Sequence, residues 1–251
     1  MKTFMDIDYC DLNDDRRKLD IYLPDGECTS TVLWTHGGGL EEGSRKDPSF
    51  PGIAEELGEK GIAFVSVEYR MYPEVSFPAF IEDYARAAAF IYEHAAEYGL
   101  SEKIFIGGTS AGGYLTLMLC FARKYLEAAG REPEDFAGFI PDAGQPTTHY
   151  NILKYRGEDS RLCRIDEAAP IWHITDARPG KPIRVICADN DLPARPEQNR
   201  LMLATMKHFG YDMSKVDSVL MEGYTHCGYS GLKKDGHYLL AGLIADFVQR
   251  V

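Results

Sequence analysis

The chain has 251 residues, with 27 Lys and Arg against 39 Asp and Glu, for a formal net charge of −12. Its 45% hydrophobic and 12% aromatic content suits one large globular domain over 1–251 and excludes a disordered or collagen-like chain. The acidic balance argues against a nucleic-acid partner, which would need a basic face to displace counterions.

The opening MKTFMDIDYC lacks the apolar core of a signal peptide. No run approaches the ~18 apolar residues that span a bilayer. A cytoplasmic location without a membrane partner is the expectation. The six cysteines (Cys10, Cys28, Cys120, Cys163, Cys187 and Cys227) form no CxxC pair, so they read as reduced thiols, with no metal or cofactor expected. Nothing in the sequence sets the oligomeric state.

Two polar-flanked extended segments come first, 4–10 and 18–23, the second closed by Pro24-Asp25-Gly26. Apolar runs at 31–35 and 62–67 are short, β-branched or aromatic, and not alternating. Strands buried on both faces of a parallel sheet read this way. Helices are expected at 51–60, ended by Gly61, and at 80–98, between Pro78 and Gly99. A buried strand at 104–106 leads to a helix over 114–129. Strands at 139–141 and 183–188, a helix at 195–209, a strand at 216–221 and a helix at 238–248 complete the chain. The alternation predicts an α/β fold, with a mostly parallel sheet covered on both faces and an antiparallel edge from the two opening strands. Residues 142–181 are too long for an ordinary connection and predict a functional excursion lining the active site.

Three segments carry chemistry. The first, Gly107-Gly108-Thr109-Ser110-Ala111-Gly112-Gly113, contains G-x-S-x-G between a strand and a helix. Such a turn crowds the backbone, demands small flanking residues and lifts Ser110 clear as a nucleophile. It lacks the Gly-Lys-Ser/Thr ending of a phosphate loop. The second, His36-Gly37-Gly38-Gly39, follows a buried strand, and its glycines allow amide groups to approach an oxyanion closely. His36 is read as a brace of that loop. The third is a late acid and base. Asp189-Asn190-Asp191 and Glu222-Gly223-Tyr224-Thr225-His226-Cys227-Gly228 each follow a strand, giving the order Ser, Asp, His. Asp191 is preferred to Asp189 because it lies further beyond its strand.

The HGGG stretch, Glu68-Tyr69-Arg70, Ser76-Phe77-Pro78, GTSAGG and the late Asp and His together resemble the α/β-hydrolase superfamily. The likeness is greatest to small carboxylesterases related to acetyl esterases and hormone-sensitive-lipase-like enzymes. Ala169-Pro170-Ile171-Trp172-His173 is similar to the SP-x-x-H stretch before the acid-bearing strand in many of them. The resemblance implies an α/β-hydrolase fold with Ser110 as nucleophile, His226 as base and Asp191 as its partner. It further implies Gly38, Gly39 and Ala111 as oxyanion donors, and a small-molecule ester as substrate. Only 35 residues precede His36, so a minimal cap is expected.

Leu40 and Glu41, after the glycine loop, and Gln145 and His149, opening the excursion, are expected to wall the substrate cleft. None of these segments offers a long apolar stripe, which favours acetyl to butyryl esters, with a sugar or aryl alcohol. Two alternatives stay open: an amide hydrolase similar to kynurenine formamidases, and a non-catalytic ligand-binding scaffold.

Overall fold

The computed structural model describes residues 1–175, 177 and 180–251. Positions 176, 178 and 179 of the expected excursion therefore lie outside the described residues. Strands β1 (Lys2–Asp8), β2 (Lys18–Leu23) and β3 (Ser30–Thr35) precede helix α1 (Phe50–Gly58), β4 (Ile62–Val67) and α2 (Ala79–Tyr98). Then follow β5 (Ile104–Thr109), α3 (Ala111–Phe121), α4 (Lys124–Ala128), β6 (Gly138–Asp142) and α5 (Tyr150–Tyr155). Strand β7 (Ile183–Asn190), α6 (Arg195–His208), β8 (Val216–Thr225) and α7 (Leu239–Arg250) end the chain.

The eight strands form one sheet in the order β1-β2-β4-β3-β5-β6-β7-β8. β1 pairs antiparallel with β2, and β2 antiparallel with β4, while every pairing from β4 to β8 is parallel. The central strands lack alternation because both of their faces are buried. Val32 and Trp34 of β3, Phe64 of β4 and Phe105 of β5 pack with Phe50, Ile53 and Leu57 of α1 and Ile244 and Phe247 of α7. The intervening Leu33, Val65 and Ile106 pack with Tyr84 of α2 and with Tyr114 and Leu117 of α3.

Three expectations shift. The helix expected over 114–129 starts at Ala111 and breaks at Ala122 (ψ 74°) into α3 and α4. Its start moves because Gly112 and Gly113 are helical residues here, not part of a loose loop. Beyond the break Arg123 meets Glu132 and Glu134, at 3.0 and 2.7 Å, across the turn that follows α4. β8 extends to Thr225, with an exposed pattern at the sheet's edge. Inside the excursion, Thr147, Thr148, His149 and Asn151 are buried, so its hydroxyl-rich opening is an internal hydrogen-bonded turn.

The first turn of α3 lies directly on backbone. A Cβ on Gly112 would collide with the Thr35 carbonyl, and one on Gly113 with the Asp142 carbonyl. Gly242, exposed in the middle of α7, has open space where a Cβ would go. We therefore expect Gly112→Ala to lower unfolding free energy by roughly 2 kcal/mol or more. Gly242→Ala should instead raise it by about 0.5–1 kcal/mol. Urea denaturation of both variants checks this, and an equal effect of the two would contradict the packing described.

Candidate active site

Ser110 sits between the last residue of β5 and the first of α3 with φ 58° and ψ −110°. A non-glycine residue in such a region costs about 1–3 kcal/mol and persists only when its surroundings hold it there. Here the Ser110 amide donates to the Asp142 carbonyl at 2.7 Å. A Cβ on Gly108 would strike Gly112, which in turn abuts Thr35. The G-x-S-x-G spacing thus has a steric origin: the two glycines touch across the turn while the serine side chain projects away.

His226 follows directly on β8. Its Nε2 lies 2.8 Å from Ser110 Oγ, and its Nδ1 lies 2.5 Å from Asp191 Oδ1. A carboxylate at Nδ1 requires that nitrogen to carry the proton, which leaves Nε2 to accept from the serine hydroxyl. The Asp191 side chain is fully buried, and its Oδ1 also accepts from the Leu192 amide at 2.6 Å. Burial works against its charge, but the His226 hydrogen bond and the Leu192 amide outweigh that and hold it below the usual carboxylate range. Asp189 is exposed and accepts from the Gly223 amide at 2.8 Å, so it ties β7 to β8. The structure brings Asp191, not Asp189, to the imidazole.

The glycine loop passes beside the serine, for a Cβ on Gly37 would touch Ser110 Cβ. Gly38 (φ 100°), Gly39 (φ 66°) and Leu40 (φ 66°) form a left-handed run that returns the chain on itself, with Glu41 and Glu42 amides donating to the Gly38 carbonyl. No hydrogen bond among the described residues uses the Gly38 or Gly39 amide. Ala111 is the first residue of α3, where helix amides lack intrahelical acceptors.

His36 braces this loop. Its ring stacks on Tyr69 at 4.6 Å, with Nε2 3.1 Å from Glu68 Oε1 and Nδ1 2.7 Å from the Gly37 carbonyl. Glu68 is buried, which opposes its charge, but contacts from His36, Arg45 and Arg16 more than offset this and lower its pKa. Sequence reasoning named Glu68 only as part of a resemblance. Its sign was a carboxylate at the end of a buried strand, a position that rarely carries an unpaired charge.

Ser110 and His226 open into a cleft of about 660 Å³, lined also by Gly38, Glu42, Asp47, Phe50 and Leu240. Four residues expected to wall this cleft do not line it. Leu40 is wholly buried in the core. Glu41 turns to Lys154 and Asn151, at 2.7 and 2.9 Å. His149 is buried, accepts from the Asn151 amide at the start of α5, and is held neutral by burial. Gln145 is buried and faces a neighbouring hollow. The physical reason is shared. The excursion folds inward against α3 and α6 instead of standing over the sheet edge, and polar side chains satisfy its own backbone.

Sequence reasoning missed Asp142, the last residue of β6. It is fully buried and accepts hydrogen bonds from Tyr229 at 2.5 Å, Thr109 at 2.9 Å and Ser230 at 3.3 Å. It thereby joins the residue before the serine to the loop after the histidine. Its signal was an acid at a carboxyl edge of the sheet, obscured by the proline and glycine around it. Cys227, beside Ser110, has its thiol pushed up by burial, which leaves it a poor nucleophile. Among the described residues, no group of three His, Cys, Asp or Glu is placed to hold a metal ion. Nor is any helix long and apolar enough to cross a membrane.

The sheet order, the strand–serine–helix turn and the hydrogen-bonded Ser–His–Asp chain make this protein an α/β-hydrolase by fold. The BD-FAE family model matches residues 19–137, a span that includes the glycine loop and Ser110 but ends before Asp191 and His226. An AB hydrolase superfamily protein of Schizosaccharomyces pombe is 40% identical over 90 residues, covering 35% of this chain and 26% of that protein. The carboxylesterase NlhH of Mycobacterium tuberculosis is 36% identical over 89 residues, covering 35% of this chain and 28% of its own length. The matched segments thus span about a quarter of these curated relatives. Among solved structures, a butyrate-bound esterase of Thermogutta terrifontis aligns with TM-score 0.76 at 20% identity, over 99% of this chain and 93% of that one. A truncated carbohydrate esterase from gut microbiota aligns with TM-score 0.78 at 18% identity, over 100% and 96%. At such identities these two likenesses carry the fold.

Asp142 supplies a pH test. Burial raises its pKa to about 6, with the hydrogen bonds from Tyr229, Thr109 and Ser230 limiting the rise. An unfolded Asp titrates near ~3.9. As pH rises from about 4 to 6 the unfolded chain releases this proton first, so the native state loses stability over that window. Asp142→Asn removes the titration. The unfolding free energy of the wild type relative to that variant should fall by on the order of 2–3 kcal/mol between pH 4 and 7. Denaturant titrations at a series of pH values check this, and a pH-independent difference would contradict it.

Proposed function

We propose that the protein is a serine hydrolase of small carboxylic esters. The observation that carries this reading is the continuous chain from Ser110 Oγ through His226 to the buried Asp191, with contacts of 2.8 and 2.5 Å. In the proposed reaction His226 Nε2 takes the serine proton as Oγ attacks the ester carbonyl. The carbonyl oxygen becomes an oxyanion beside the amides of Gly38, Gly39 and Ala111, a role supported by the unused glycine amides and by the dipole of α3. The imidazolium, stabilised by Asp191, then protonates the departing alcohol. Water, deprotonated by the same imidazole, attacks the acyl-serine and releases the acid and the free enzyme.

The cleft supports short acyl groups. Phe50 and Leu240 are its larger apolar side chains, and Glu42, Ser44, Asp47, Ser49 and Ser230 set polar groups among them that a long acyl chain would have to pass. Each methylene left in such surroundings forgoes ~0.8 kcal/mol of burial. The butyrate held by the Thermogutta terrifontis esterase is consistent with an acyl group of this size.

Ser110→Ala should lower kcat on a short-chain 4-nitrophenyl ester by at least ~10³-fold, and Asp191→Asn by ~10³–10⁴-fold through the wrong imidazole tautomer. A fluorophosphonate probe should label the wild type and not Ser110→Ala. Unlabelled folded wild type would favour a ligand-binding scaffold instead. Across acetyl, butyryl, octanoyl and palmitoyl esters of one alcohol, kcat/KM should peak at acetyl or butyryl; a maximum at octanoyl or beyond would refute the short-chain assignment. A formanilide run beside an acetyl ester separates amide from ester preference.

A further inference from the structure

Among the described residues four arginines are buried: Arg45, Arg123, Arg184 and Arg195. Three of them are surrounded by carboxylates. Arg45 meets Asp6, Asp20 and Glu68; Arg123 meets Glu127, Glu132 and Glu134; Arg184 meets Asp217 and Asp246. Arg195 differs. At 3% exposure it is as buried as the others, yet among the described residues no carboxylate comes within ion-pair distance. Its two hydrogen bonds go to neutral oxygens, the Ala143 carbonyl at 2.6 Å and Gln145 Oε1 at 3.1 Å. The Asp191 carboxylate acts on it only from a distance, being committed to His226 and the Leu192 amide. Arg195 is also the first residue of α6, where the helix dipole disfavours a cation. A buried guanidinium without a counter-ion is a costly arrangement, and an arriving anion would relieve both penalties.

The space for that anion is present. Arg195 lines a hollow of about 420 Å³ together with Gln145, Gln198, Tyr150, Leu162 and Leu192. Two of its lining residues lie next to the site. Leu192 directly follows Asp191, and a Cβ on Gly39 would meet the Tyr150 hydroxyl. Of the hollow's lining residues Gln145, Arg195 and Gln198 are buried polar side chains, while Leu162 and Leu192 are exposed apolar ones. The other cation at the hollow, Arg161, is largely exposed and grips Asp159 with two nitrogens. One buried positive charge therefore faces the space, matched to a single negative charge.

We propose that this hollow is a carboxylate subsite, and that the preferred substrates are small esters carrying one free carboxylate on a short apolar body. The inference rests on the esterase reading above. A guanidinium fork with three uncommitted N–H groups suits a planar carboxylate, with the Gln198 amide and the Tyr150 hydroxyl beside it, while Gln145, whose amide nitrogen already donates to Thr147 and Thr148, holds the fork in place through its oxygen.

The test compares charged and neutral substrates of equal length. One series sets methyl hydrogen malonate, succinate, glutarate and adipate against the methyl esters of the matching monocarboxylic acids. A second sets the acetate esters of glycolic and 3-hydroxypropionic acids against those of the corresponding hydroxy-amides. In at least one series the charged member should be favoured by about tenfold or more in kcat/KM, expressed in KM, because the contact is remote from the reacting carbonyl. Arg195→Met should abolish the preference, and Arg195→Lys should retain part of it. No preference in either series overturns the inference, as does a preference that survives in folded Arg195→Met. If neither variant folds, competition decides. Glutarate, and not glutaramide, should then inhibit neutral-ester hydrolysis by the wild type, and equal inhibition by both overturns the inference. Hydrolysis of the neutral esters reports on the esterase reading separately, so the two can fail independently.

Discussion

The arrangement depends on one steric constraint: the first turn of α3 rests on the backbone of β3 and β6 with no side chain between. Gly112 meets the Thr35 carbonyl and Gly113 meets Asp142 and Gly144. Because the helix begins that close to the sheet, the residue before it must reverse direction within a single position. That residue is Ser110, held at φ 58° by its amide bond to Asp142 and by Gly108 beneath the turn. The strain at the serine and the glycines around it are thus two aspects of one contact. The serine side chain is prominent because it occupies the one residue that joins β5 to α3.

The other residues of the candidate site are carried to this turn by parallel strands that all end at the same edge. β3 delivers the glycine loop, β6 delivers Asp142, β7 delivers Asp191 and β8 delivers His226. Parallel pairing places these ends side by side although the residues lie up to 190 positions apart in the chain, from His36 to His226. Buried charge then sets the fine geometry. Glu68 anchors the glycine loop through His36, and Asp142 spans the serine turn and the histidine loop. Glu68 and Asp142 each accept several hydrogen bonds, without which a buried charge would cost several kcal/mol. Among the described residues, Arg195 is the buried arginine with no carboxylate within ion-pair distance.

Much of the fold was legible in the residue order. Continuous apolar runs marked the central strands because both of their faces are covered, and Gly99 and Gly61 marked helix ends through their left-handed backbone. Ser110 and His226 were legible because their chemistry demands a local backbone signature, glycines about a turn or a loop after a strand. The helix break at Ala122 was not: it sets Arg123 beside Glu132 and Glu134, beyond α4, and no residue at 122 announces it. Nor was the inward fold of 145–151, whose polar residues look solvated in sequence and are buried against one another in the structure.

The sequence by itself determined what depends on neighbours along the chain: sterically obligatory glycines, strands buried on two faces, and the order of serine, acid and base. The tertiary structure decided what depends on distance across the chain. It selected Asp191 over Asp189, because β7 pairs with β8 in a register that points one carboxylate at the imidazole and the other at the Gly223 amide. It withdrew Leu40, Glu41 and His149 from the cleft and placed Glu42, Asp47 and Phe50 there. It also brought Asp142 to the turn before Ser110 and the loop after His226, and left Arg195 buried with no carboxylate within ion-pair distance among the described residues. Side-chain direction and charge pairing follow from packing between elements, and no local pattern of residue types encodes them.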